Sequence, residues 1–310
     1  MAINKIDAFV MCGEGRASKR VLNKNKSMLQ VGELPSFLHV INGLNKVSRI
    51  DRIFVIGIKS ELDQYINQYK LPFDKEVITL MQRRNLVENA IFAFNEALHS
   101  SDKLRTNDDS RLGLYVSGDA PLVTELELNQ FIDNADTNSS DYIIGMTPDF
   151  ALEQFEPKDN QPGVKMAYLN IKQGRFRINN LHLVRPTRIR NIEPIQTMYN
   201  LRYQKKLSNI IQVAHFAWNL KVRSSLSIYF ALISSMAFAG LKLDKIAKYL
   251  GDLVEEDDVK YVVGQILGCA VGFSITDYGG AALDIDNEHD YKTIRLRFEE
   301  WKSIIHQRKN

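Results

Sequence analysis

The chain of 310 residues has little cysteine and almost no net charge. Its two cysteines, Cys12 and Cys269, do not form a Cys-x-x-Cys pair, which excludes a zinc ribbon and a thioredoxin-type redox site. The 40 Lys and Arg residues nearly balance the 37 Asp and Glu residues, which excludes a histone-like polycation, and we expect no nucleic-acid partner. No long apolar stretch follows a basic start, so we expect no secretory signal and a reducing, cytoplasmic environment for the thiols.

Hydrophobic runs long enough to span a membrane are also missing. Residues 224–241 carry no charge over 18 positions, and residues 261–276 carry none over 16. A spanning helix needs about 20 strongly apolar residues, and the first stretch contains five serines. Both stretches are therefore predicted to be buried helices of a folded domain.

Short apolar runs alternate with amphipathic segments through the first half of the chain. Buried strands are predicted at Ile6–Met11 and at residues 52–58, 76–80, 113–116 and 142–146. Helices are predicted at residues 37–44 and 61–69, at Leu86–His99 and at residues 126–135. Residues 165–171 and 175–184 are typical of a hairpin. The alternation of strands and helices predicts an α/β fold, a three-layer α/β/α arrangement around a mostly parallel sheet.

The character of the sequence changes after residue 185. Residues 185–223 carry eight basic residues and one acidic residue, Glu193. From about residue 198 to 267 the apolar residues follow helical spacing, and strand-like texture returns only near residues 282–285, before a closing helix to about His306. We therefore predict an α/β domain of residues 1–186 and 270–310, interrupted by a mostly helical insertion of residues 187–269. The insertion is either a lid or homodimer surface, or a membrane-surface element that contacts anionic lipid.

The loop after the first strand has the composition of a phosphate-binding loop. It reads Cys12-Gly13-Glu14-Gly15-Arg16-Ala17-Ser18-Lys19-Arg20 and ends in Asn25-Lys26. Glycines let a ligand approach the backbone, whose N–H groups can bind phosphate, and basic side chains supply positive charge. The loop departs from the dinucleotide fingerprint at Ser18 and lacks the Gly-Lys-Ser/Thr of a P-loop, so a plain tight turn is the alternative interpretation.

Two acidic motifs accompany this loop. Asp119 lies in Gly118-Asp119-Ala120-Pro121, directly after a buried strand, where open α/β sheets bind ligands and a carboxylate can hold a divalent cation. Asp284 and Asp286 alternate, so in a strand they would point to the same side. The alternative for each motif is capping of a turn or helix, by Asp119 in the first and by Asp286 or Asn287 in the second.

Taken in order, these motifs resemble the nucleotidyltransferases of the nucleotide-diphospho-sugar transferase fold, especially the branch related to molybdenum-cofactor guanylyltransferase. That family opens with an apolar strand, A-G-x-G, basic residues and P-K, and here residues 9–15 read FVMCGEG, followed by basic residues and Asn25-Lys26. Residues 26–35 fit its K-x-L-x-x-x-G-x-x-P run, residues 118–121 match G-D-x-P, and residues 284–290 resemble D-x-D-T-P-E-D. The resemblance covers roughly residues 5–185 and 280–295.

Several positions depart from the family pattern. Cys12 stands in place of a small Ala or Gly, and Asn25 stands in place of the proline. Asn287 and His289 replace the Thr and Glu of the last motif. These departures bear on the identity of the substrate more than on the class of reaction.

The resemblance implies a Mg²⁺-dependent enzyme. It would transfer a nucleoside monophosphate from an NTP to a small phosphorylated acceptor, a sugar or alditol phosphate, and release pyrophosphate. The implied catalytic residues are Lys26, at the reacting phosphate, Arg16 and Asp119, and the implied metal ligands are Asp119 with Asp284 or Asp286. The implied nucleotide-binding residues are Met11, Cys12, Gly13, Glu14, Gly15, Lys19, Arg20 and Gly118. Asn85 and Asn89 lie in the segment that reaches the nucleobase in relatives, and helix capping is their alternative role.

Two other functions stay open. A glycosyltransferase of the same fold class would carry its metal motif, Asp-x-Asp, in mid-chain, whereas here that motif lies near residue 285 and Lys26 is present. A nucleotide-binding or membrane scaffold on a degenerate catalytic domain is the other alternative. Stabilisation by NTPs that does not depend on Mg²⁺ would favour the scaffold.

Overall fold

The computed structural model of the chain describes residues 5–14, 20–100, 110–192, 195 and 244–308. The strands in these parts are β1 Ile6–Met11, β2 Gln30–Val31, β3 Leu34–Pro35, β4 Ile50–Gly57, β5 Val77–Met81, β6 Gly113–Ser117, β7 Tyr142–Pro148, β8 Leu169–Ile171, β9 Gly174–Val184 and β10 Val271–Ile275. The helices are α1 Ser36–Asn45, α2 Lys59–Tyr69, α3 Leu86–His99, α4 Glu125–Asp133, α5 Asp244–Gly251, α6 Glu256–Leu267 and α7 Glu288–Gln307.

Eight of these strands form one sheet. Its order is β10-β7-β9-β6-β1-β4-β5, and β8 pairs with β9 outside this path. Strand β9 runs antiparallel to β6, β7 and β8, whereas the pairs β10-β7, β6-β1, β1-β4 and β4-β5 are parallel. Strands β2 and β3 form a separate short hairpin. The predicted mostly parallel sheet is confirmed.

Helices cover both faces of the sheet because successive residues of a buried strand point to opposite sides. Ala8 and Val10 of β1 belong to an apolar core that includes buried residues of α1 and α4. Phe9 points the other way and packs with Tyr115 of β6 and Phe94 of α3, and the Phe9 and Tyr115 ring centroids are 4.8 Å apart. The three-layer α/β/α arrangement is therefore also confirmed.

Helix α7 brings the last acidic motif against the N-terminal segment. Its Trp301 is fully buried and packs on Phe155, with ring centroids 5.3 Å apart. At its first turn the Asn287 side chain accepts a hydrogen bond of 3.1 Å from the Asp290 N–H, which caps the helix. The Tyr291 hydroxyl donates to the Gln30 carbonyl at 3.0 Å. Residues just before α7 are thus fixed next to residues 26–30.

Two sequence predictions are wrong in their boundaries. The helix predicted over residues 261–276 ends at Leu267, because Gly268 adopts φ +65° as a helix C-cap, and Val271–Ile275 form β10 beside β7. Residues 282–285 were expected to be strand-like, but Gly280–Ala282 form a 3₁₀ turn and the residues that follow have no strand assignment. The predicted hairpin is present, although its first strand, β8, is only Leu169–Ile171.

Only part of the predicted insertion can be described. Helices α5 and α6 lie within it, and Val262, Ile266 and Leu267 of α6 pack with Val271 of β10 and with Tyr142 of β7. The uncharged stretch 224–241 and most of the basic residues after 190 lie outside the described residues. Within the described ranges, no helix is both long and apolar enough to cross a membrane.

Candidate active site

The site lies where the carboxyl ends of β1 and β6 meet, because parallel strands end at the same edge of a sheet. Met11 and Ser117 are paired in the sheet, and the Gly118 N–H donates to the Met11 carbonyl at 3.0 Å. The Ile285 N–H donates to the Asp119 carbonyl, also at 3.0 Å. These backbone bonds join the segment of the last acidic motif to the Gly-Asp-Ala-Pro segment.

Lys26 is positioned by a short 3₁₀ helix, Lys26–Met28, that Asn25 caps. The Asn25 side-chain oxygen accepts from the Ser27 N–H at 3.0 Å, and its nitrogen donates to the Cys12 carbonyl at 2.7 Å. One side chain therefore ends the loop after β1 and starts the turn that carries Lys26. A proline in place of Asn25 has no side-chain donor or acceptor for these two bonds, which accounts physically for this departure from the family pattern.

Lys26 joins two of the predicted acids. Its side chain is only 8% exposed, and its Nζ lies 3.1 Å from Asp286 Oδ1 and 3.7 Å from Asp119 Oδ2. Burial alone would lower the pKa of Lys26, but the charges of Asp119 and Asp286 outweigh burial and raise the pKa above its ordinary value. The lysine is therefore held as a cation at the edge of the sheet.

Asp119 is buried, and it lies near both Lys26 and Asp284. The Ser117 hydroxyl donates to Asp119 Oδ1 at 2.5 Å. Burial, followed by the neighbouring charge of Asp284, raises the pKa of Asp119 to about 6 despite the opposing effects of Lys26 and Ser117. A raised pKa in a carboxylate that already has a lysine partner indicates a site that favours further positive charge.

Asp284 and Asp290 complete the acidic group. Asp284 is 4% exposed in its side chain, and Arg177 Nη2 lies 2.9 Å from its Oδ1. Burial, then repulsion from Asp286 and Asp284, raises the pKa of Asp290 to about 6. Asp290 also accepts a 2.6 Å hydrogen bond from the Asn287 side chain. The last motif therefore provides a helix cap, Asn287, and acids that face Lys26 and Arg177, although Asp284 and Asp286 do not lie in a strand. Their role as metal ligands stays a prediction.

The loop after β1 is held by Gln82, which follows β5. The Glu14 N–H donates to Gln82 Oε1 at 2.7 Å, and Gln82 Nε2 donates to the Glu14 carbonyl at 2.8 Å. Arg20 Nη2 lies 2.6 Å from Glu14 Oε2. Gln82 lies in the segment of residues 81–89 that was expected to reach the nucleobase, but sequence reasoning did not single it out; its place directly after β5 was a usable signal. Gly15, Arg16 and Lys19 lie outside the described residues, so their predicted roles stay predictions.

At Gly13 and Gly118 a side chain would come too close to neighbouring atoms, whereas neither residue has a positive φ. A Cβ on Gly118 would lie 2.4 Å from Cys12 Sγ and 2.9 Å from Ser27 Oγ. A Cβ on Gly13 would lie 2.8 Å from the Asn89 side-chain nitrogen. Cys12 is buried, and burial raises the pKa of its thiol well above the ordinary value. Cys12 is therefore a buried packing residue, and Gly118 can lie this close to its sulfur only because it has no side chain.

The two asparagines proposed for base recognition are placed differently. Asn85 caps α3: its side chain accepts from the Glu88 N–H at 2.9 Å and donates to Glu88 Oε1 at 2.8 Å. Asn89 is buried beside Gly13, and its oxygen accepts from the Arg83 N–H. The capping alternative thus describes Asn85, whereas Asn89 lies against the loop after β1. Base recognition by either residue stays a prediction.

The carboxylate oxygens of Asp119, Asp284 and Asp286 can be compared with the ligands that Mg²⁺ requires. Mg²⁺ prefers oxygen donors, keeps several waters and needs only one or two protein carboxylates. Asp119 and Asp284 are close enough that the charge of one raises the pKa of the other. In the described part of the chain, no group of three or more His, Cys, Asp or Glu side chains is arranged to hold a metal ion. The pair Asp119 with Asp284 or Asp286 fits a two-carboxylate magnesium site.

Comparisons with solved structures agree with the fold. A hypothetical transferase structure from Thermus thermophilus matches with a TM-score of 0.61 and 18% identity, over 93% of this chain and 99% of that one. A CMP:2-keto-3-deoxy-manno-octonic acid synthetase complexed with CTP matches at 0.48 and 11% identity, over 96% and 99%. The 4-diphosphocytidyl-2C-methyl-D-erythritol synthase from Anaerococcus prevotii matches at 0.44 and 11%, over 96% and 99%. No protein-family model matches the chain, and no curated protein sequence does. At 18% identity and a TM-score of 0.61, the similarity to the Thermus structure shows a shared α/β fold and no more.

Proposed function

We propose that the chain is a Mg²⁺-dependent nucleotidyltransferase that joins a nucleoside monophosphate to a phosphorylated acceptor and releases pyrophosphate. One observation carries the proposal. Lys26 Nζ lies between Asp286 and Asp119, at 3.1 and 3.7 Å, where the loop after β1 meets the carboxyl end of β6. A buried cation and two carboxylates at this edge of an α/β sheet suit an ion–phosphate complex.

The reaction needs positioning and charge neutralisation more than covalent chemistry. An oxygen of the acceptor phosphate forms a bond to the α-phosphorus of the NTP, while the bond from that phosphorus to its bridging oxygen breaks. Pyrophosphate leaves with the electron pair of the broken bond. Lys26 would contact the α-phosphate, where negative charge increases, and Arg20 with the backbone of Gly13 would contact the outer phosphates.

Asp119, with Asp284 or Asp286, would hold Mg²⁺. The bound ion would supply positive charge to the phosphates and fix their orientation. These three carboxylates are already ordered by Ser117, Arg177 and Lys26 respectively, at 2.5, 2.9 and 3.1 Å. The acids therefore do not have to be gathered when the substrate binds.

Arg177 is the candidate for the acceptor phosphate. Its Nη2 contacts Asp284, while its buried Nε has no hydrogen-bond partner among the described residues. A guanidinium presents its N–H groups in a planar fork that matches phosphate oxygens. A phosphate bound by the outer N–H groups of Arg177 would lie beside the carboxylates proposed to hold the metal, as an attacking group must.

Pyrophosphate release tests the proposal directly. The purified chain would be incubated with each NTP, Mg²⁺ and a panel of sugar and alditol phosphates, and pyrophosphate would be measured by a coupled assay. We expect release with a preferred NTP, only when an acceptor is present, and loss of release in EDTA. Sugar transfer from a nucleotide-sugar without pyrophosphate would instead support the glycosyltransferase. Thermal stabilisation by NTPs without Mg²⁺, in the absence of turnover, would support the scaffold.

A further inference from the structure

Strand β9 carries a second arginine, Arg175, two residues before Arg177. Phe176 pairs with Pro148, the last residue of β7, so Arg175 lies one position beyond the carboxyl end of that strand. Strands β6 and β7 run in the same direction, since both are antiparallel to β9, so this is the edge of the sheet that carries Asp119. Alternate residues of a strand face the same side, with α carbons about 6.8 Å apart. Arg175 and Arg177 are therefore neighbours on one face at this edge.

Tyr168 holds the Arg175 side chain in place. The central carbon of the Arg175 guanidinium lies 4.3 Å from the centroid of the Tyr168 ring. Tyr168 is itself fixed, because it is 6% exposed and its hydroxyl donates to Glu156 Oε1 at 2.6 Å. Burial and the bond to Glu156 raise the pKa of Tyr168, whereas the charges of Arg175 and Arg177 both oppose the rise. One buried ring therefore lies close to both guanidinium groups.

The two arginines differ in what balances their charge. Arg177 is paired with Asp284 at 2.9 Å. Arg175 is exposed, and within the described ranges it has no ion-pair partner. An arginine keeps its charge at any ordinary pH, and a guanidinium that stacks on a ring still presents its N–H groups in its own plane. Arg175 is thus an ordered cation that can bind an anion in a planar, two-point contact.

We infer that the acceptor carries a second anionic group, a phosphate or a carboxylate, and that Arg175 binds this group while Arg177 binds the reacting phosphate. The inference rests on the proposed function for the position of the reacting phosphate. The strand spacing places the two anions about 7 Å apart. The acceptor class is thus a phosphate monoester with a second phosphate or a carboxylate about three carbons away. This narrows the sugar or alditol phosphate expected from the sequence to one that carries two anionic groups.

Three compounds of similar length test the inference by direct binding. Titration calorimetry would compare n-propyl phosphate, trimethylene glycol bisphosphate and γ-phosphonooxybutyrate on the wild-type chain, with Mg²⁺ and each α,β-methylene NTP in turn. At least one compound with two anionic groups should bind about fivefold more tightly than propyl phosphate, since an exposed ion pair contributes up to about 1 kcal/mol. A gain confined to the bisphosphate identifies a phosphate, and a gain confined to the butyrate identifies a carboxylate. Equal affinity for all three compounds overturns the inference.

Variants of Arg175 show whether this residue causes the gain. Arg175→Met keeps a long side chain over Tyr168 and should abolish the gain while leaving the affinity for propyl phosphate unchanged. Arg175→Glu should make the second anion unfavourable, which keeps the test decisive if Arg175→Met folds poorly. Lys46→Met is the matched control, because it removes one exposed charge between α1 and β4, at the opposite edge of the sheet. It should keep the full gain.

A purely structural role for Arg175 predicts a different result. If Arg175 only covers the Tyr168 ring, its variants should unfold at lower temperature and bind the three compounds with the same relative affinities as wild type. That result, or a gain that persists in Arg175→Met, contradicts the inference.

The inference and the proposed function can fail separately. If a second anion improves binding through Arg175, but no NTP gives pyrophosphate with any phosphorylated acceptor, the Arg175 assignment stands and nucleotidyl transfer is wrong. If acceptors with one phosphate give pyrophosphate and a second anion brings no gain in binding, nucleotidyl transfer stands and the Arg175 assignment is wrong.

Discussion

Lys26 Nζ lies 3.1 Å from Asp286 Oδ1, although 260 residues separate the two along the chain. Lys26 lies in a short 3₁₀ helix that Asn25 caps, and Asp286 directly precedes Asn287, the N-cap of the 20-residue helix α7. Because each cap is fixed by its own side-chain bonds, the contact joins two preformed elements. The proposed chemistry depends on this junction, and the first prediction removes its cation.

Lys26→Met should lower kcat by about 10²–10³-fold, since one preorganised contact to developing charge is lost while the length of the side chain is kept. Steady-state pyrophosphate release would measure the change. Lys24→Met is the matched control, because Lys24 is exposed and lies two residues away. Equal kcat values for Lys26→Met and wild type would exclude Lys26 from the reaction.

Asp119→Asn should lower kcat by about 10³-fold or more, because loss of a metal ligand removes several kcal/mol of charge stabilisation. Asparagine has the same shape and can still accept the Ser117 hydrogen bond, so thermal unfolding in EDTA should show no loss of stability. Asp149→Asn, at a half-buried aspartate directly after β7, serves as the control. Turnover by Asp119→Asn at the wild-type rate, over a range of Mg²⁺ concentrations, would contradict the metal assignment.

Gln82→Leu should raise the KM for the NTP by about tenfold and change kcat little. The substitution removes the two hydrogen bonds to the Glu14 backbone, each worth about 0.5–1.5 kcal/mol, and so loosens the loop that is proposed to bind the triphosphate. Gln68→Leu, on the exposed side of α2, should leave both constants unchanged. A fall in kcat with an unchanged KM would show that Gln82 acts in the chemical step instead.

Gly118→Ala should destabilise the fold by about 1–3 kcal/mol, because its Cβ would overlap Cys12 Sγ. Cys12→Ala removes that sulfur, so the double variant should be more stable than Gly118→Ala alone. Urea unfolding of the two single variants and the double variant measures this coupling as a double-mutant cycle. Additive losses of stability would mean that the overlap with Cys12 is not the reason for the glycine.

Glu127 should make stability depend on pH. It lies fully buried in α4, where its carboxylate accepts from Thr276 Oγ1 at 3.1 Å and from the Ala281 N–H at 2.8 Å. Burial raises the pKa of Glu127 to about 7 in the folded chain, from an ordinary value of 4.5. The folded state therefore binds this proton more tightly than the unfolded state between these values. Its contribution to stability is complete below pH 4.5 and is lost as the pH rises through 7.

Glu127→Gln should remove this dependence. The free energy of unfolding of the variant, relative to wild type, should rise by about 3 kcal/mol between pH 4.5 and 8, at about 1.4 kcal/mol for each pKa unit. Urea unfolding across that range provides the measurement. A constant difference between variant and wild type at all pH values would show that Glu127 keeps an ordinary pKa in the fold.

The sequence was most informative where local chemistry determines structure. Short apolar runs that end in glycine or polar residues located β1, β4, β5, β6 and β7. The carboxyl end of β6 then indicated a site at Asp119, whereas the expectation for Lys26 came only from the resemblance to nucleotidyltransferases. The same reasoning could not find β10, because residues 261–276 are uncharged throughout and apolar spacing alone does not separate a buried helix from a buried strand. Gly268, a helix C-cap at φ +65°, was the signal that divides them.

Long-range partners were beyond sequence reasoning. The contact between Arg177 and Asp284 joins residues 107 positions apart, and nothing in either local pattern specifies the other. The antiparallel β9, inserted between β6 and β7, creates that contact, since it carries Arg177 to the edge where Asp119 lies. The contact of Gln82 with the Glu14 backbone likewise joins two elements that tertiary packing alone brings together.

The 260 residues between Lys26 and Asp286 also determine how long after its synthesis Lys26 can first meet its partner. At roughly 5–20 residues per second, translation of that interval takes about 13–52 s. Throughout this time Asp286 has not yet been synthesised, so Lys26 lacks this partner. The surface around Gln30, which α7 covers in the folded chain, remains in contact with solvent or with a chaperone. The N-terminal half can form β1, β4, β5 and β6 in this period, but the proposed active site, which needs both Lys26 and Asp286, must be one of the last parts to form.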